Sequence, residues 1–409
     1  MTEMIDVLVV GATGFTGRQI ARELAGSGLR IGVFGRDRAR LEALELDVPQ
    51  FVGDVTDASA IGPAVARARI VANAAGPFSI LGDQVVAACV ECGTHYADIT
   101  GETPWARRLI DRHHERAKRD GTRIVPFAGF DSVPADLACL LLARRTGGRL
   151  VDVDATYRLA GGLNGGTFAT ALHLSEHESP RELVDPFLLA PTNEPSREDR
   201  RHHADPRSTT RIGGRRVAPF FMGPINRRVV YRSHALVSAH PPPDETGRPR
   251  PLEHYGERFL YREWQDFGGP VATRLAAGAF ALGGLALTTR PGRAIGRRLG
   301  PRPGEGPSEH VRTTGYSHAD FTATAADGEF HKVVMRAQGD PGNVVTTRLL
   351  AAVVHGLADA PTEMGLGSPG TGGVLTPAVA VGERLLTQLR SAGGVEIGNE
   401  VRGPEKQTD

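Results

Sequence analysis

The chain has 409 residues, 40% hydrophobic and 23% charged, with a formal net charge of +1. That is the composition of a globular protein of two or three domains, and so small a net charge gives no reason to expect nucleic acid or an anionic membrane as a partner. Three cysteines exclude a disulfide framework; Cys89 and Cys92 form a CxxC with no second pair to complete a zinc site, so Cys89 reads as core packing ahead of redox chemistry. The opening "MTEMIDVLVV" has no basic region or cleavage site, so a cytoplasmic protein without a signal peptide is expected.

The first element is an apolar run, Val7 to Val10, which reads as a strand buried on both faces. It leads into "GATGFTG", and then Ile20, Ala21 and Leu24 recur at helical spacing. Gly11, Gly14 and Gly17 therefore sit where a strand turns into a helix. Backbone N–H groups of Thr13, Gly14, Phe15 and Thr16 can approach a pyrophosphate there, and the helix N-terminus adds partial positive charge. The spacing is GxxGxxG, not the commoner GxGxxG, and a glycine turn without a ligand is the alternative.

A second strand, "LRIGVF", ends at Gly35-Arg36-Asp37-Arg38. NAD-specific folds place an acidic residue at this strand end, about 20 residues beyond the glycines. Arg36 stands there instead and suits a 2′-phosphate through charge-assisted hydrogen bonds. Asp37 argues for NAD, but arginines surround it, and NADP(H) is the expected cofactor. "QFVGDVTD" sets Asp54-Val55 where an adenine edge would lie, with a helix N-cap as the other reading of Asp54. "RIVANAAGPF" ends a strand at Asn73 and continues through Ala74, Gly76 and Pro77, small residues able to lie against the nicotinamide ribose; an ordinary loop is the alternative.

Strand and helix patterns alternate up to about residue 145. They point to an α/β fold: a Rossmann-type doubly wound parallel sheet over 1–145. "HYADIT" and "RIVPFAGF" read as strands, and "TPWARRLIDRHHERAKRDG" as a helix whose His113 and His114 face solvent. "SVPADLACLLLARRTG" starts a further helix with Pro134 in its first turn. Residues 146–340 read as an inserted α+β substrate and dimerisation domain. Both "VDVDATYRLAG" and "GGLNGGTFATALHLSE" are read as strands, 191–216 as a long basic loop, 242–251 as a proline-rich break, and 317–339 as a hairpin about Asp327-Gly328. Residues 341–400 read as helices returning to the first domain, and 401–409 as a disordered tail.

The run 271–290 stands apart. Its apolar core, Leu275 to Leu287, is short for a bilayer span, which needs about 20 residues. A buried helix is the first reading; a surface element touching lipid, an acyl chain or a carrier protein is the second. In the second reading it walls the entrance for a long chain, with Arg274 and Arg290 at the polar mouth.

Several strings in order, "THYADITGE", "GFDSVPADL", "GGTFATAL", "GDPGNVVTTRLL" and "GGVLTPAVAVGERLLTQL", resemble the saccharopine dehydrogenase-like oxidoreductases, in the branch of the trans-acting enoyl reductases of bacterial polyketide lipid synthesis. The resemblance covers nearly the whole chain. It implies an NADP-binding Rossmann domain, an inserted domain carrying substrate and dimer contacts, and reduction of C=C bonds conjugated to a carbonyl. Asn343 replaces the aromatic residue of the usual "GDPGY".

The residues themselves exclude other chemistries. No tyrosine has a lysine four residues on, so the short-chain dehydrogenase route is absent. His202-His203 lacks any metal-ligand context, and no metal is expected. Conjugate reduction needs donors for a developing enolate and one proton source. Tyr96, Asp98, Thr100, Ser132 and the backbone around Gly165-Gly166-Thr167 lie where donors would face the nicotinamide, and Asp131 can be an acid only if burial raises its pKa. Tyr96, Asp131 and Ser132 are the catalytic candidates, with an N-cap as the alternative for Asp131 and a place in the core for Tyr96. The expected substrate is a small-molecule or carrier-bound acyl group. An imine reductase and a non-catalytic NADP-binding protein remain as alternatives. A homodimer and peripheral membrane contact stay open.

Overall fold

The computed structural model describes residues 4–162, 165–190, 196–206, 208–300, 306–359 and 371–399. Two seven-stranded sheets organise the chain. The strands are β1 (Ile5–Val10), β2 (Ile31–Gly35), β3 (Gln50–Val52), β4 (Ala68–Asn73), β5 (His95–Asp98), β6 (Arg123–Val125), β7 (Leu150–Ala160), β8 (Thr210–Ile212), β9 (Arg215–Pro219), β10 (Leu260–Gln265), β11 (Tyr316–Ala325), β12 (Phe330–Gln338), β13 (Gly373–Val374) and β14 (Val395–Asn399).

The first sheet runs β13-β6-β5-β4-β1-β2-β3, and its strands pair in parallel. Parallel pairing requires a crossover between neighbours, and helices on both faces supply it. Val7, Val9 and Val33 face one apolar cluster with helices Phe15–Ala25 and Thr346–Ala358. Leu8, Val10 and Phe34 face the other, with helices Asp83–Cys92 and Thr103–Asp120. Burial on both faces is why these strands read as unbroken apolar runs. The strand order reverses between β1 and β4, the switch point where such sheets take ligands.

The second sheet, β14-β12-β11-β7-β10-β9-β8, is mixed: β7 and β10 pair in parallel, and the remaining neighbours are antiparallel. Helix Val133–Arg145 is buried along nearly its whole length and contacts β7, β11, β12 and β14. Its Asp136 carboxylate accepts hydrogen bonds from the Ser233 hydroxyl and, at 2.7 Å, from the Ala378 amide. One buried acid thus ties three segments far apart in sequence. Desolvation pushes that carboxyl up to about 7.

Several elements differ from the sequence reading. Residues Gly165–His177 form a helix, not a strand; Ala169, Ala171, Leu172 and Leu174 are good helix formers and outweigh the two β-branched residues. Part of the expected basic loop is ordered as helix Arg197–His202 and the β8–β9 hairpin. His114 is not a solvated residue: its Nδ1 accepts the Val374 amide at 3.2 Å, and burial holds its pKa down to about 4. The C-terminal segment contains helices Pro377–Val381 and Arg384–Ala392 but ends in β14, at the edge of the second sheet. The expected disordered tail lies outside the described residues.

The apolar run is helix Pro270–Leu287, and only Thr273 in it is buried. Leu275, Leu282 and Leu285 are 70%, 69% and 64% exposed, so the buried-helix reading fails. It is long and apolar enough to cross a membrane by length and composition, with 6% of its residues buried.

Candidate cofactor crevice and active site

The glycine turn is built for close backbone contact. Gly11 has φ +76°, and a Cβ on it would lie 2.8 Å from the Ala75 nitrogen. A Cβ on Gly17 would lie 2.1 Å from the Gly11 carbonyl oxygen, which no side chain can tolerate. Gly14 caps helix Phe15–Ala25 without a side chain over its end. Gly11, Thr13, Gly14, Phe15 and Thr16 are partly accessible, while Gly17 beneath them is buried. The first-turn amides of that helix have no partner within the helix and open toward the switch point. The Phe15 ring is covered by Arg312, whose guanidinium carbon lies 5.7 Å from the ring centroid.

At the end of β2, Arg36 is exposed and makes no ion pair or hydrogen bond among the described residues. Asp37 is committed elsewhere: its carboxylate accepts the Arg40 amide at 3.2 Å and caps helix Arg38–Glu42. The Arg40 guanidinium donates to the Thr13 carbonyl at 3.1 Å. The acidic group that would bind a ribose 2′-hydroxyl is therefore occupied, while a free guanidinium remains for a 2′-phosphate. Asp54 accepts the Thr56 amide and hydroxyl at 2.9 and 2.7 Å, and these bonds hold its pKa below the usual carboxylate value, helped by the charge of Arg36. It is not a helix N-cap; Asp57 caps helix Ala58–Val65. Val55 beside it is buried. Together these groups fit an NADP adenosine end.

The other half of the crevice follows β4. Asn73 is fully buried, and its Oδ1 accepts the Ala75 amide at 2.9 Å, which shapes the turn through Ala74, Gly76 and Pro77. The Gly76–Pro77 bond is cis. The Asn73 amide donates to the Tyr96 hydroxyl at 3.1 Å, and that hydroxyl donates to Asp98 at 2.7 Å. Asp98 also accepts the Thr100 amide at 2.9 Å and the Phe127 amide at 3.3 Å. Burial pushes its carboxyl up to about 7 despite these donors. Tyr96 has no exposed surface, so its hydroxyl acts on the crevice only through Asn73. Glu102 accepts the Phe78 and Ser79 amides at 2.7 and 2.9 Å, fixing the turn from its far side.

Asp131 and Ser132 follow β6. Asp131 is partly accessible and makes no hydrogen bond among the described residues, yet desolvation pushes its carboxyl up to about 6. Ser132, not Asp131, occupies the N-cap of helix Val133–Arg145, and its side chain makes no capping bond. The Ser132 hydroxyl donates instead to Asn226 Oδ1 at 3.1 Å, and the Asn226 amide donates to Glu263 at 2.9 Å. The hydroxyls of Tyr157 and Tyr261 also donate to Glu263, at 3.1 and 2.5 Å. Burial pushes the Glu263 carboxyl up to about 7.

Glu263 lines a cavity of about 200 Å³ together with Asp205, Phe220, Phe221, Pro224 and Arg227. Arg227 is 1% exposed, pairs with Asp205 at 3.0 Å, and has no hydrogen-bond partner among the described residues for its Nε and Nη2. The sequence reading missed Asn226, Arg227 and Glu263, since no motif marks them and only the second sheet brings them to Ser132. It also missed Asp340, fully buried, which accepts the Gly162 amide at 2.6 Å and the Asn343 side-chain amide at 2.6 Å. The "GDPGN" string was the available signal.

The fold and the crevice define an NADP(H)-dependent oxidoreductase of the doubly wound class. The family model described as the saccharopine dehydrogenase NADP binding domain matches residues 7–125. A Mycobacterium tuberculosis protein provisionally named a trans-acting enoyl reductase is 34% identical, over 95% of this chain and 96% of the relative. A trans-acting enoyl reductase of Mycobacterium leprae is 33% identical with the same coverage. The apo saccharopine dehydrogenase (L-Glu forming) of Saccharomyces cerevisiae is similar in fold, with a TM-score of 0.52 at 13% identity, covering 96% of this chain and 99% of that one. The chain belongs to the saccharopine dehydrogenase-like oxidoreductases, in the family of the trans-acting enoyl reductases.

Proposed function

We propose that this protein is an NADPH-dependent enoyl reductase that saturates a C=C bond conjugated to a carbonyl in a lipid, isoprenoid or polyketide-type substrate, working in the cytoplasm. Beyond family membership, the observation that carries this reading is a protonatable, partly accessible carboxyl, Asp131, in the loop that follows β6 of the same parallel sheet.

Bound NADPH supplies the hydride. The glycine turn and Arg36 hold the cofactor's phosphates, and the Ala74–Pro77 turn, set by Asn73, orients the nicotinamide side. Reduction of an enoyl substrate there would leave negative charge on the carbonyl oxygen and one proton to be delivered. The enolate then takes a proton at the α-carbon, and Asp131 is the assigned donor. Ser132 and Asn226 position the loop that carries it. Tyr96 is a positioning residue, since its hydroxyl is held between Asn73 and Asp98.

A long apolar substrate is supported by a run of aromatic rings from the surface inward. Phe280 of the exposed helix stacks on Phe221 at 5.8 Å, Phe221 meets Phe220 at 5.0 Å, and Phe220 stacks on Tyr157 at 4.4 Å. Each methylene buried along such a wall contributes about 0.8 kcal/mol. NADPH consumption with enoyl thioesters of increasing length is the test. Catalytic efficiency is expected to rise with length, and Leu275→Ser with Phe280→Ser to flatten that rise without changing NADPH affinity. Equal rates for short and long substrates remove the lipid reading, and no turnover with any of them removes the reaction.

One observation favours a second reading. Arg227, buried and under-bonded beside the cavity, suits a substrate carboxylate, as a reductase of amino-acid imines requires. Faster turnover of α-imino acids than of enoyl thioesters would select it.

A further inference from the structure

The helices Pro270–Leu287 and Arg290–Leu299 form a hairpin that rests on β9 and on helix Gly165–His177 and is otherwise open to solvent. Soluble helices carry an apolar stripe backed by a polar face. Here Val271, Leu275, Leu282 and Leu285 are exposed at 64–70%. The positions beside them, Ala272, Gly278, Ala279, Ala281, Gly283, Gly284 and Ala286, are exposed as well. The helix is thus apolar around its free circumference, which matches a lipid environment and not the single seam of a helix pair.

Charge completes the pattern. Between residues 268 and 300 the sequence has Arg274, Arg290, Arg293, Arg297 and Arg298 and no acidic residue. Arg293 and Arg297 are held by Glu176 of helix Gly165–His177, at 3.3 and 2.7 Å. Arg274, Arg290 and Arg298 are exposed and have no acidic partner among the described residues. The near-zero charge of the whole chain conceals this local basic cluster.

Both ends of the hairpin are anchored to one body. Near its start the Thr273 hydroxyl donates to the Arg216 carbonyl at 3.2 Å, and near its end Glu176 holds the two arginines. A helix of 18 residues tied down on both sides of its apolar stretch cannot pass through a bilayer and return. It can lie in the boundary between headgroups and acyl chains, with arginines at headgroup level.

We infer that this hairpin is a membrane-docking element that seats the protein on an anionic lipid surface. The inference stands independently of the enoyl-reductase reading, though the aromatic run from Phe280 inward would let a lipid enter from that surface. The test is flotation of the full chain with vesicles of phosphatidylcholine alone and of phosphatidylcholine with phosphatidylglycerol. Binding is expected to the anionic vesicles and to weaken with salt. Leu282→Ser with Leu285→Ser should lower partition by about tenfold or more. Arg298→Glu should lower it by about tenfold. NADPH affinity and turnover of a short soluble enoyl thioester, read in parallel, should stay unchanged in both variants and so report folding and chemistry separately. Three results overturn the docking inference: no flotation with anionic vesicles, a stable dimer that the leucine variant dissociates while vesicles are ignored, or capture by an acidic acyl carrier protein in place of lipid.

Discussion

Two buried carboxylates, one at each sheet, both accept from tyrosine hydroxyls but differ in backbone company. Asp98 of the first sheet accepts from Tyr96, which in turn is bonded by Asn73. Glu263 of the second accepts from Tyr157, Tyr261 and Asn226. Both are pushed up to about 7 by desolvation. Asp98, however, also holds two backbone amides, from Thr100 and Phe127, and Phe127 sits at a positive φ of 66°. Every partner of Glu263 is a side chain, and one side of it faces a cavity. The first carboxylate is a structural clamp that shapes two loops of the cofactor crevice. The second belongs to a network that can rearrange or exchange a proton. Similar residues thus serve different ends, and backbone amides make the difference.

The largest effect should come from breaking the clamp. Asp98→Ala leaves two amides and the Tyr96 hydroxyl without an acceptor, and a loss of about 3–5 kcal/mol in unfolding free energy is expected. Glu263→Ala should lose clearly less by the same denaturant titration. If the two losses are equal, the backbone bonds are not what separates the clusters.

Asp131 has no hydrogen-bond partner among the described residues, so it tests whether freedom from hydrogen bonds marks the reactive acid. Asp131→Asn should lower kcat about a hundredfold or more while thermal stability is retained. A general acid must be protonated, so kcat/KM should be level below pH about 6, where burial places this carboxyl, and fall above it. In the asparagine variant that limb should vanish.

Arg36→Ala tests the cofactor end of the same crevice. The preference for NADPH over NADH, measured by calorimetry, should shrink about tenfold, the scale of one charge-assisted contact. NADH affinity should be unchanged.

A last effect concerns pH and stability. The pKa of Glu263 is raised in the fold from 4.5 to about 7. The stabilisation this represents is complete below the unfolded value and is lost as pH rises through the folded one. Glu263→Gln removes that dependence, so the variant should gain relative to the parent between pH 5 and pH 8. Melting temperatures at the two values give the comparison, and an opposite sign would mean that the carboxylate is charged in the fold.

Much of the first sheet was legible because its signals are local. The Val7–Val10 run, the three glycines and Ile20, Ala21 and Leu24 spell strand, turn and helix within a short span. Arg36 and Asn73 could be placed at strand ends for the same reason. The second network could not, because Ser132, Asn226 and Glu263 come from three distant segments and meet only when β10 pairs with β7. Asp37 was ambiguous in sequence, and only its capping bond to Arg40 shows how it is used. The apolar run misled because hydrophobicity ordinarily implies burial, and helix Pro270–Leu287 is exposed.

The two late strands have a consequence for synthesis on the ribosome. β13 covers β6 and becomes the edge of the first sheet, and β14 covers β12 and becomes the edge of the second. Until residues 373–399 emerge, β6 and the longer β12 stand as edges in their place, and the Asp136 carboxylate lacks the Ala378 amide. A nascent chain that stalls before this segment carries two unpaired strand edges, each able to recruit a neighbouring chain. Completion of the fold is therefore a late, nearly simultaneous event for both halves of the molecule.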